Sequence, residues 1–192
     1  MANRYYPERA TLPRNKGIHL SELIRRMAVV NGMLAEGEQS EDDMPLRMFL
    51  GMAWEEAAAT LYPEMLWQPG EKELDGIWGN CDGLSYESLE IDGEREEVLC
   101  VDEFKLTWKS QSRDIMLEWM WLQQGAGYCK MHGTRWVKYH VCWVNGNYRD
   151  SRDPVYMRYL VEFGERELAG IWKHFKAVKK MVEGVGEPKE KA

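Results

Sequence analysis

Two acidic residues and one lysine stand where they could carry out metal-assisted chemistry. Asp82 precedes Glu103 and Lys105, and the intervening Asp92-Gly93 pair is a strong signal for a tight hairpin turn. A hairpin would bring Asp82 beside Glu103. Glu103 and Lys105 are two positions apart, so in a strand their side chains leave the same face. Two carboxylates at this separation repel each other unless a cation lies between them, and carboxylate oxygens suit Mg²⁺ or Mn²⁺.

Such a group of side chains suits the hydrolysis of a phosphodiester bond. A divalent ion polarises the phosphate and lowers the pKa of a bound water, and a second ion can hold the leaving oxygen. A lysine beside the ions can orient or deprotonate that water. The alternative is an ordinary salt bridge between Glu103 and Lys105 on a solvated strand. The apolar run at residues 98–101 favours a site, because charges at the end of a buried strand are costly unless they are used or paired.

The composition describes a globular chain without membrane or secretion signals. The 192 residues fit one domain, and no apolar run approaches the roughly 20 residues of a membrane span. Residues 1–16 lack the apolar stretch of a signal peptide, so we expect a cytoplasmic protein with no membrane partner. The net charge of −7 argues weakly against a protein that coats DNA. It leaves open an enzyme that combines acidic metal ligands with a local basic groove.

Hydrophobic periodicity predicts the elements that must position these residues. Ser21 is predicted to cap a helix over residues 22–36, and Pro45 to begin a second helix that runs to residue 61. Further helices and strands follow, with strands predicted over 81–89, 98–107, 136–144 and 155–163, and helices over 113–131 and 165–182.

This order of elements predicts an α/β fold, with a central mixed β-sheet flanked by helices. Antiparallel strands come first, and then a crossover helix leads to a following strand. Residues 17–183 are predicted to form one domain. We expect an irregular N-terminal arm over residues 1–16 and a frayed C-terminal tail over residues 184–192.

The motifs resemble those of the PD-(D/E)xK nuclease superfamily. Residues 77–83 and 101–105 are similar to its core motif, and residues 124–128 match the QxxxY motif of the RecB-like and lambda-exonuclease-like (YqaJ-type) branch. Gly51 and Glu55 resemble a helix motif in which a glutamate follows a glycine by four. These four motifs span about residues 17–145 in the expected order. Cys81 stands where the superfamily has a proline, which shapes the strand rather than the chemistry.

The resemblance implies a restriction-endonuclease-like core and a role for each matching residue. Asp82, Glu103 and the backbone carbonyl of Phe104 would bind the metal, and Lys105 would position or activate the water. Glu55 would complete the metal shell from the second helix, with Glu56 as the rival for that role.

The QxxxY motif implies two further site residues. Gln124 and Tyr128 would lie on one helix face beside the active site and help to hold the lysine and the DNA strand. Cations that follow the motifs are candidates for phosphate contacts. These candidate DNA-binding residues are Lys109, Arg113, Lys130 and Arg135.

The activity implied is that of an Mg²⁺-dependent exonuclease, with Mn²⁺ as a substitute and one or two ions bound. It would digest duplex DNA ends in recombination or repair, typically for a phage or mobile element and therefore in the bacterial cytoplasm. Relatives often work beside a single-strand annealing protein, and some form rings around DNA. No iron–sulfur cluster is expected, because no cysteine follows Cys142. The alternatives are an endonuclease of the same fold and a non-catalytic DNA-binding module.

Overall fold

A mixed five-stranded sheet forms the centre of the computed structural model, which describes residues 17–35, 45–144 and 153–185. In spatial order its strands are β2 (Leu66–Trp67), β5 (Gly83–Ile91), β6 (Glu94–Thr107), β7 (Trp136–Trp143) and β8 (Val155–Glu162). Strands β6 and β7 are parallel, and the other neighbouring pairs are antiparallel. A second, three-stranded sheet has the order β1 (Ile18–His19), β4 (Ile77–Gly79) and β3 (Lys72–Leu74).

Helices cover both faces of the central sheet. They are α1 (Leu20–Val30), α2 (Pro45–Ala59), α3 (Trp119–His132) and α4 (Glu165–Val185). Apolar residues of α1, α3 and α4 pack with those of β6 and β7 in the main core. Helix α2 contributes Ala58 to a smaller cluster on the opposite face, around Phe104 and Met65. The predicted α/β class, with a central mixed sheet flanked by helices, is confirmed.

The β5–β6 hairpin sets the register on which the site depends. Asp92 and Gly93 have φ angles of 53° and 84°, which is the backbone conformation that a two-residue hairpin turn requires. The pairing then continues without interruption until Gly83 lies opposite Asp102. Asp82 immediately precedes β5 and is therefore placed next to Glu103, as the sequence predicts.

Two helices begin elsewhere than the sequence predicts. Helix α1 starts at Leu20 with His19 as its N-cap residue, so Ser21 does not cap it. It ends at Val30 rather than at residue 36, because Asn31 and left-handed Gly32 stop it. The segment predicted as one helix over 113–131 is divided, since a 3₁₀ turn at Ile115–Leu117 comes before α3.

The predicted N-terminal arm lies outside the described residues. Helix α4 continues to Val185, and the remainder of the predicted tail, from residue 186, also lies outside them. Among the described residues, no helix is long and apolar enough to cross a membrane.

Helix α3 lies close to the sheet because glycine occupies its contact position. A Cβ atom at Gly125 would collide with the Tyr139 hydroxyl, which donates a hydrogen bond to the Trp121 carbonyl at 2.8 Å. Gly170 in α4 is also helical, but a Cβ there would meet no atom within 4 Å. Gly125 therefore has no room for a side chain, whereas Gly170 does, so the two helical glycines can be compared directly.

We predict that Gly125→Ala destabilises the fold by about 1–3 kcal/mol through overpacking. Gly170→Ala should instead stabilise it by roughly 0.5–1 kcal/mol, because alanine favours a helix interior. Urea unfolding of both variants measures the free energies. Equal effects of the two substitutions would contradict the close approach of α3 to β7.

Candidate active site

The β5–β6 hairpin brings Asp82 and Glu103 together beside the start of β5. The backbone N–H of Phe104 donates a hydrogen bond to Asp82 Oδ2 at 2.8 Å. This bond fixes the Asp82 side chain beside β6, although Asp82 itself precedes the strand. Asp82 is half-buried and Glu103 is fully buried, at 0% exposure. The two carboxylates thus share one region at the interface of the sheet and the main core.

Lys105 makes the polar contact of Glu103 and is itself held by Gln124. The Lys105 ammonium donates hydrogen bonds to Glu103 Oε2 at 2.6 Å and to Gln124 Oε1 at 3.1 Å. Glu103 Oε1 is buried and has no hydrogen-bond partner in the part of the chain that the structure describes. A buried carboxylate oxygen without a partner is costly. Such an oxygen is therefore well suited to bind a cation.

Helix α3 presents Gln124 and Tyr128 to the site on one face. Gln124 Nε2 donates a hydrogen bond to the Tyr128 hydroxyl at 3.4 Å, and Tyr128 is buried beneath it. Gly79 makes room for the tyrosine, because a Cβ there would lie 2.8 Å from the Tyr128 ring. The structure thus joins Lys105, Gln124 and Tyr128 in one hydrogen-bonded series.

Burial is the largest single influence on the pKa of Glu103 and on that of Lys105, but it decides the direction of the shift only for Glu103. It raises the pKa of Glu103 to about 8; the Lys105 ammonium opposes this shift and the Asp82 charge adds to it. Burial alone would lower the pKa of Lys105, but the charges of Glu103 and Asp82 outweigh it and raise the pKa. Lys105 is therefore a stable cation here, able to donate hydrogen bonds and to stabilise negative charge.

Glu55 is electrostatically coupled to the site from helix α2. Its charge contributes to raising the pKa of both Glu103 and Lys105. Glu56, the rival in the sequence, is not among the largest contributors to either shift. This difference favours Glu55 as the acidic residue that α2 directs toward the site.

The donor groups fit a hard divalent cation. Carboxylate oxygens are the preferred ligands of Mg²⁺ and Mn²⁺, and Glu103 Oε1 is an oxygen that lacks a partner. Within the described ranges, no three His, Cys, Asp or Glu side chains already converge to hold a metal ion. Asp82 and Glu103 therefore already lie close together, whereas Glu55 would have to move closer to them to share a cation.

Two of the candidate DNA-binding cations are engaged by a buried acid that the sequence did not single out. Glu118, 5% exposed at the N-terminus of α3, forms ion pairs with Lys109 at 2.5 Å and with Arg113. The Lys109 ammonium also lies 5.7 Å from the centre of the Trp121 ring. Both cations remain partly exposed beyond the end of β6 that carries Lys105, so they combine a structural contact with an accessible charge.

Lys130 and Arg135 lie at the other end of the sheet. They line a groove with Val98 and Leu99, and Arg135 pairs with Glu162 at 3.1 Å. Val98 is five residues from Glu103 along β6, or roughly 16 Å at the usual strand rise. The structure therefore does not bring these two cations to the acidic pair.

Solved structures with the same fold include known nucleases. SSO0001 matches with a TM-score of 0.55 at 13% identity, over 95% of this chain and 83% of that one. A phage-related exonuclease from Haemophilus somnus matches with a TM-score of 0.50 at 10% identity, over 86% and 83% of the two chains. The alkaline exonuclease LHK-Exo from Laribacter hongkongensis matches with a TM-score of 0.51 at 12% identity, over 88% of each.

The chain shares its fold with these exonucleases. No protein-family model and no curated protein sequence matches it. At identities this low, the similarity to solved structures establishes the shared fold alone. Within this fold, Asp82 lies just before β5, and Glu103 and Lys105 lie beside it on β6.

The buried Glu103 should make the metal-free protein sensitive to pH. Because its pKa rises from 4.5 to about 8 on folding, the folded chain holds this proton more tightly than the unfolded chain. Its contribution to stability is therefore complete below pH 4.5 and is lost as the pH rises toward about 8. We predict that the wild type loses stability relative to Glu103→Gln across this window.

Denaturant unfolding at several pH values, with a chelator present, measures that difference. Glu167→Gln, at an exposed glutamate in the first turn of α4, is the control for substitution of a carboxylate. A constant difference between the wild type and Glu103→Gln from acid to neutral pH would contradict the burial argument.

Proposed function

We propose that this chain is a metal-dependent deoxyribonuclease that hydrolyses phosphodiester bonds at duplex DNA ends. The observation that carries the proposal is the buried Glu103, which lies beside Asp82, is paired with Lys105 and has one oxygen without a partner. A buried salt bridge offsets its desolvation only when further hydrogen bonds satisfy the remaining oxygens, and Glu103 Oε1 lacks such a bond within the described residues.

The proposed metal ligands are Asp82, Glu103, the backbone carbonyl of Phe104 and Glu55. Mg²⁺, or Mn²⁺ in its place, as one or two bound ions, would polarise the scissile phosphate and lower the pKa of the attacking water. Asp82 is already oriented by the Phe104 N–H, which leaves its second carboxylate oxygen for this purpose. Glu55 supplies a further negative charge from α2, as its influence on Glu103 indicates.

Lys105 is proposed to hold the water and the phosphate rather than to accept a proton in the state described here. Its raised pKa keeps it charged, and an ammonium stabilises the negative charge that develops on the phosphate. Gln124 fixes the direction of the Lys105 side chain, and Tyr128 supports Gln124 from below. This series limits the motion of Lys105 when Glu103 turns toward a cation.

The similar structures favour an exonuclease that acts on DNA over the alternatives. Two of them are exonucleases by name, and LHK-Exo has also been solved in complex with dAMP, a deoxynucleotide. An endonuclease of the same fold remains the second candidate. A phage or mobile-element role in recombination or repair, a ring-shaped oligomer and a single-strand annealing partner are parts of the same proposal.

Digestion of matched linear and covalently closed circular duplex DNA tests the proposed activity. We predict that the wild type degrades the linear DNA, only with Mg²⁺ or Mn²⁺, and leaves the circles intact. Lys105→Ala should lower the rate by at least 100-fold, on the order of the loss of one group that stabilises developing charge. Cleavage of the circular DNA would contradict the exonuclease proposal and favour an endonuclease of the same fold.

A neighbouring pair of glutamates supplies the control for that experiment. Glu55→Gln should raise the Mg²⁺ concentration needed for half-maximal activity, whereas Glu56→Gln should behave as the wild type. Both variants remove one charge from the same helix, so overall charge and helix propensity are matched. Absence of cleavage by the wild type with either ion would overturn the catalytic proposal in favour of a DNA-binding module.

A further inference from the structure

A second buried polar cluster lies on the face of the central sheet opposite the proposed site. Asp102 and His140 are each 1% exposed, and His140 Nε2 lies 2.8 Å from Asp102 Oδ1. The Ser85 hydroxyl donates a hydrogen bond to Asp102 Oδ2. Lys138 offsets the buried negative charge, with its ammonium 3.6 Å from Asp102 Oδ1. Every polar atom of the Asp102 carboxylate is thus engaged, in contrast to Glu103.

This cluster is not a nucleophilic triad, although it contains serine, histidine and aspartate. A catalytic serine must give its proton to the histidine, which the aspartate orients from the far side. Here Ser85 bonds to Asp102 instead of to His140. The arrangement therefore holds Asp102 from two sides and leaves the second ring nitrogen of His140 for another contact.

That nitrogen continues the cluster away from the sheet. His140 Nδ1 lies 2.7 Å from the Tyr156 hydroxyl, which in turn bonds to the Tyr62 hydroxyl. A carboxylate accepts hydrogen bonds, so in the neutral Nε2–H tautomer His140 donates to Asp102 and its Nδ1 accepts from Tyr156. Tyr62 then donates to Tyr156. The hydrogen bonds run in one direction, and each donor has an acceptor.

The series Asp102–His140–Tyr156–Tyr62 is called the relay below. Its outer part contacts the helix that carries Glu55. Tyr62 is three residues beyond the end of α2, and the Tyr156 ring lies 5.6 Å from the ring of Trp54, measured between centroids. Phe104 stacks on His140 at 4.4 Å and packs with Ala58 of α2. The contacts of α2 with the sheet therefore converge on His140 and Tyr156.

One end of the relay, Asp102, and the Trp54 ring that the relay contacts are each next to a proposed metal ligand in the chain. Asp102 precedes Glu103 in β6, and Trp54 precedes Glu55 in α2. We propose that His140 and Tyr156 are positioning residues that fix helix α2, and with it Glu55, against the strand that carries Glu103. The role assigned to Glu55 rests on the proposed function, whereas the fixing of α2 does not.

Removal of one hydroxyl tests this relay. Tyr156→Phe keeps the ring and removes the hydrogen bonds to His140 and Tyr62. Hydrogen exchange of the α2 amides, normalised to those of α3, should accelerate at least about five-fold, because both hydrogen bonds of the Tyr156 hydroxyl are lost. The affinity for Mn²⁺ in the absence of DNA, measured by titration calorimetry, should fall several-fold.

Tyr159→Phe is the matched control. Tyr159 lies on the same strand but on the other face, where its hydroxyl accepts a hydrogen bond from Trp143 Nε1 at 3.2 Å. This variant also loses two hydrogen bonds, since the Tyr159 hydroxyl donates to Met157 Sδ as well, so it reports a general loss of stability. It should leave both the normalised exchange of α2 and the Mn²⁺ affinity unchanged.

A double variant tests whether the hydroxyls act as one unit. Tyr62→Phe should accelerate exchange in α2, and Tyr62→Phe with Tyr156→Phe should accelerate it no more than Tyr156→Phe alone. Fully additive effects, or equal effects of Tyr156→Phe and Tyr159→Phe on α2, would overturn the relay.

Faster exchange with unchanged Mn²⁺ affinity would overturn the link to the metal shell. A wild type that binds no Mn²⁺ and cuts no DNA would instead overturn the proposed function, and the exchange data would still decide whether the relay fixes α2.

Discussion

Glu103 is fully buried, and the loss of its hydration determines which side chains must surround it. A carboxylate at 0% exposure is tolerated only where a cation or several hydrogen-bond donors compensate for lost water. Lys105 provides one such contact, and Gln124 holds the lysine in place. The remaining oxygen has no partner in the described residues, so the fold maintains a destabilising feature at this point. Retention of such a cost is typical of a functional site.

Alternation along β6 separates two polar systems that meet in one strand. Glu103 and Lys105 point toward α3 and the main core, whereas Asp102 and Phe104 point toward α2. The first system leaves an oxygen for a cation, and the second has a partner for every oxygen of its central carboxylate. A single strand thereby connects the proposed chemistry with the packing of the helix that supplies the third acidic residue. This division explains how a rigid sheet can fix side chains that come from three separate elements.

Local patterns predicted the features that depend on nearby residues. The Asp92-Gly93 turn set the hairpin register, and the spacing of Glu103 and Lys105 set their shared face. Long-range partners left no such signal. Glu118 gave no sign that it would pair with Lys109 and Arg113, and the parallel pairing that puts His140 against Asp102 joins distant segments. The predicted start of α1 is wrong, because burial of Leu20 in the core outweighs the capping preference of Ser21.

The most direct test of a divalent-metal site at Asp82 and Glu103 is anomalous diffraction from crystals soaked in Mn²⁺. We predict a peak within about 2.0–2.3 Å of carboxylate oxygens of both residues. This range lies between the usual oxygen distances of Mg²⁺ and of Ca²⁺. Glu103 Oε1 should be among the ligands. The metal site would be contradicted if Mn²⁺ peaks appeared at other acidic residues but none appeared at Asp82 and Glu103, while Lys105 still contacted Glu103.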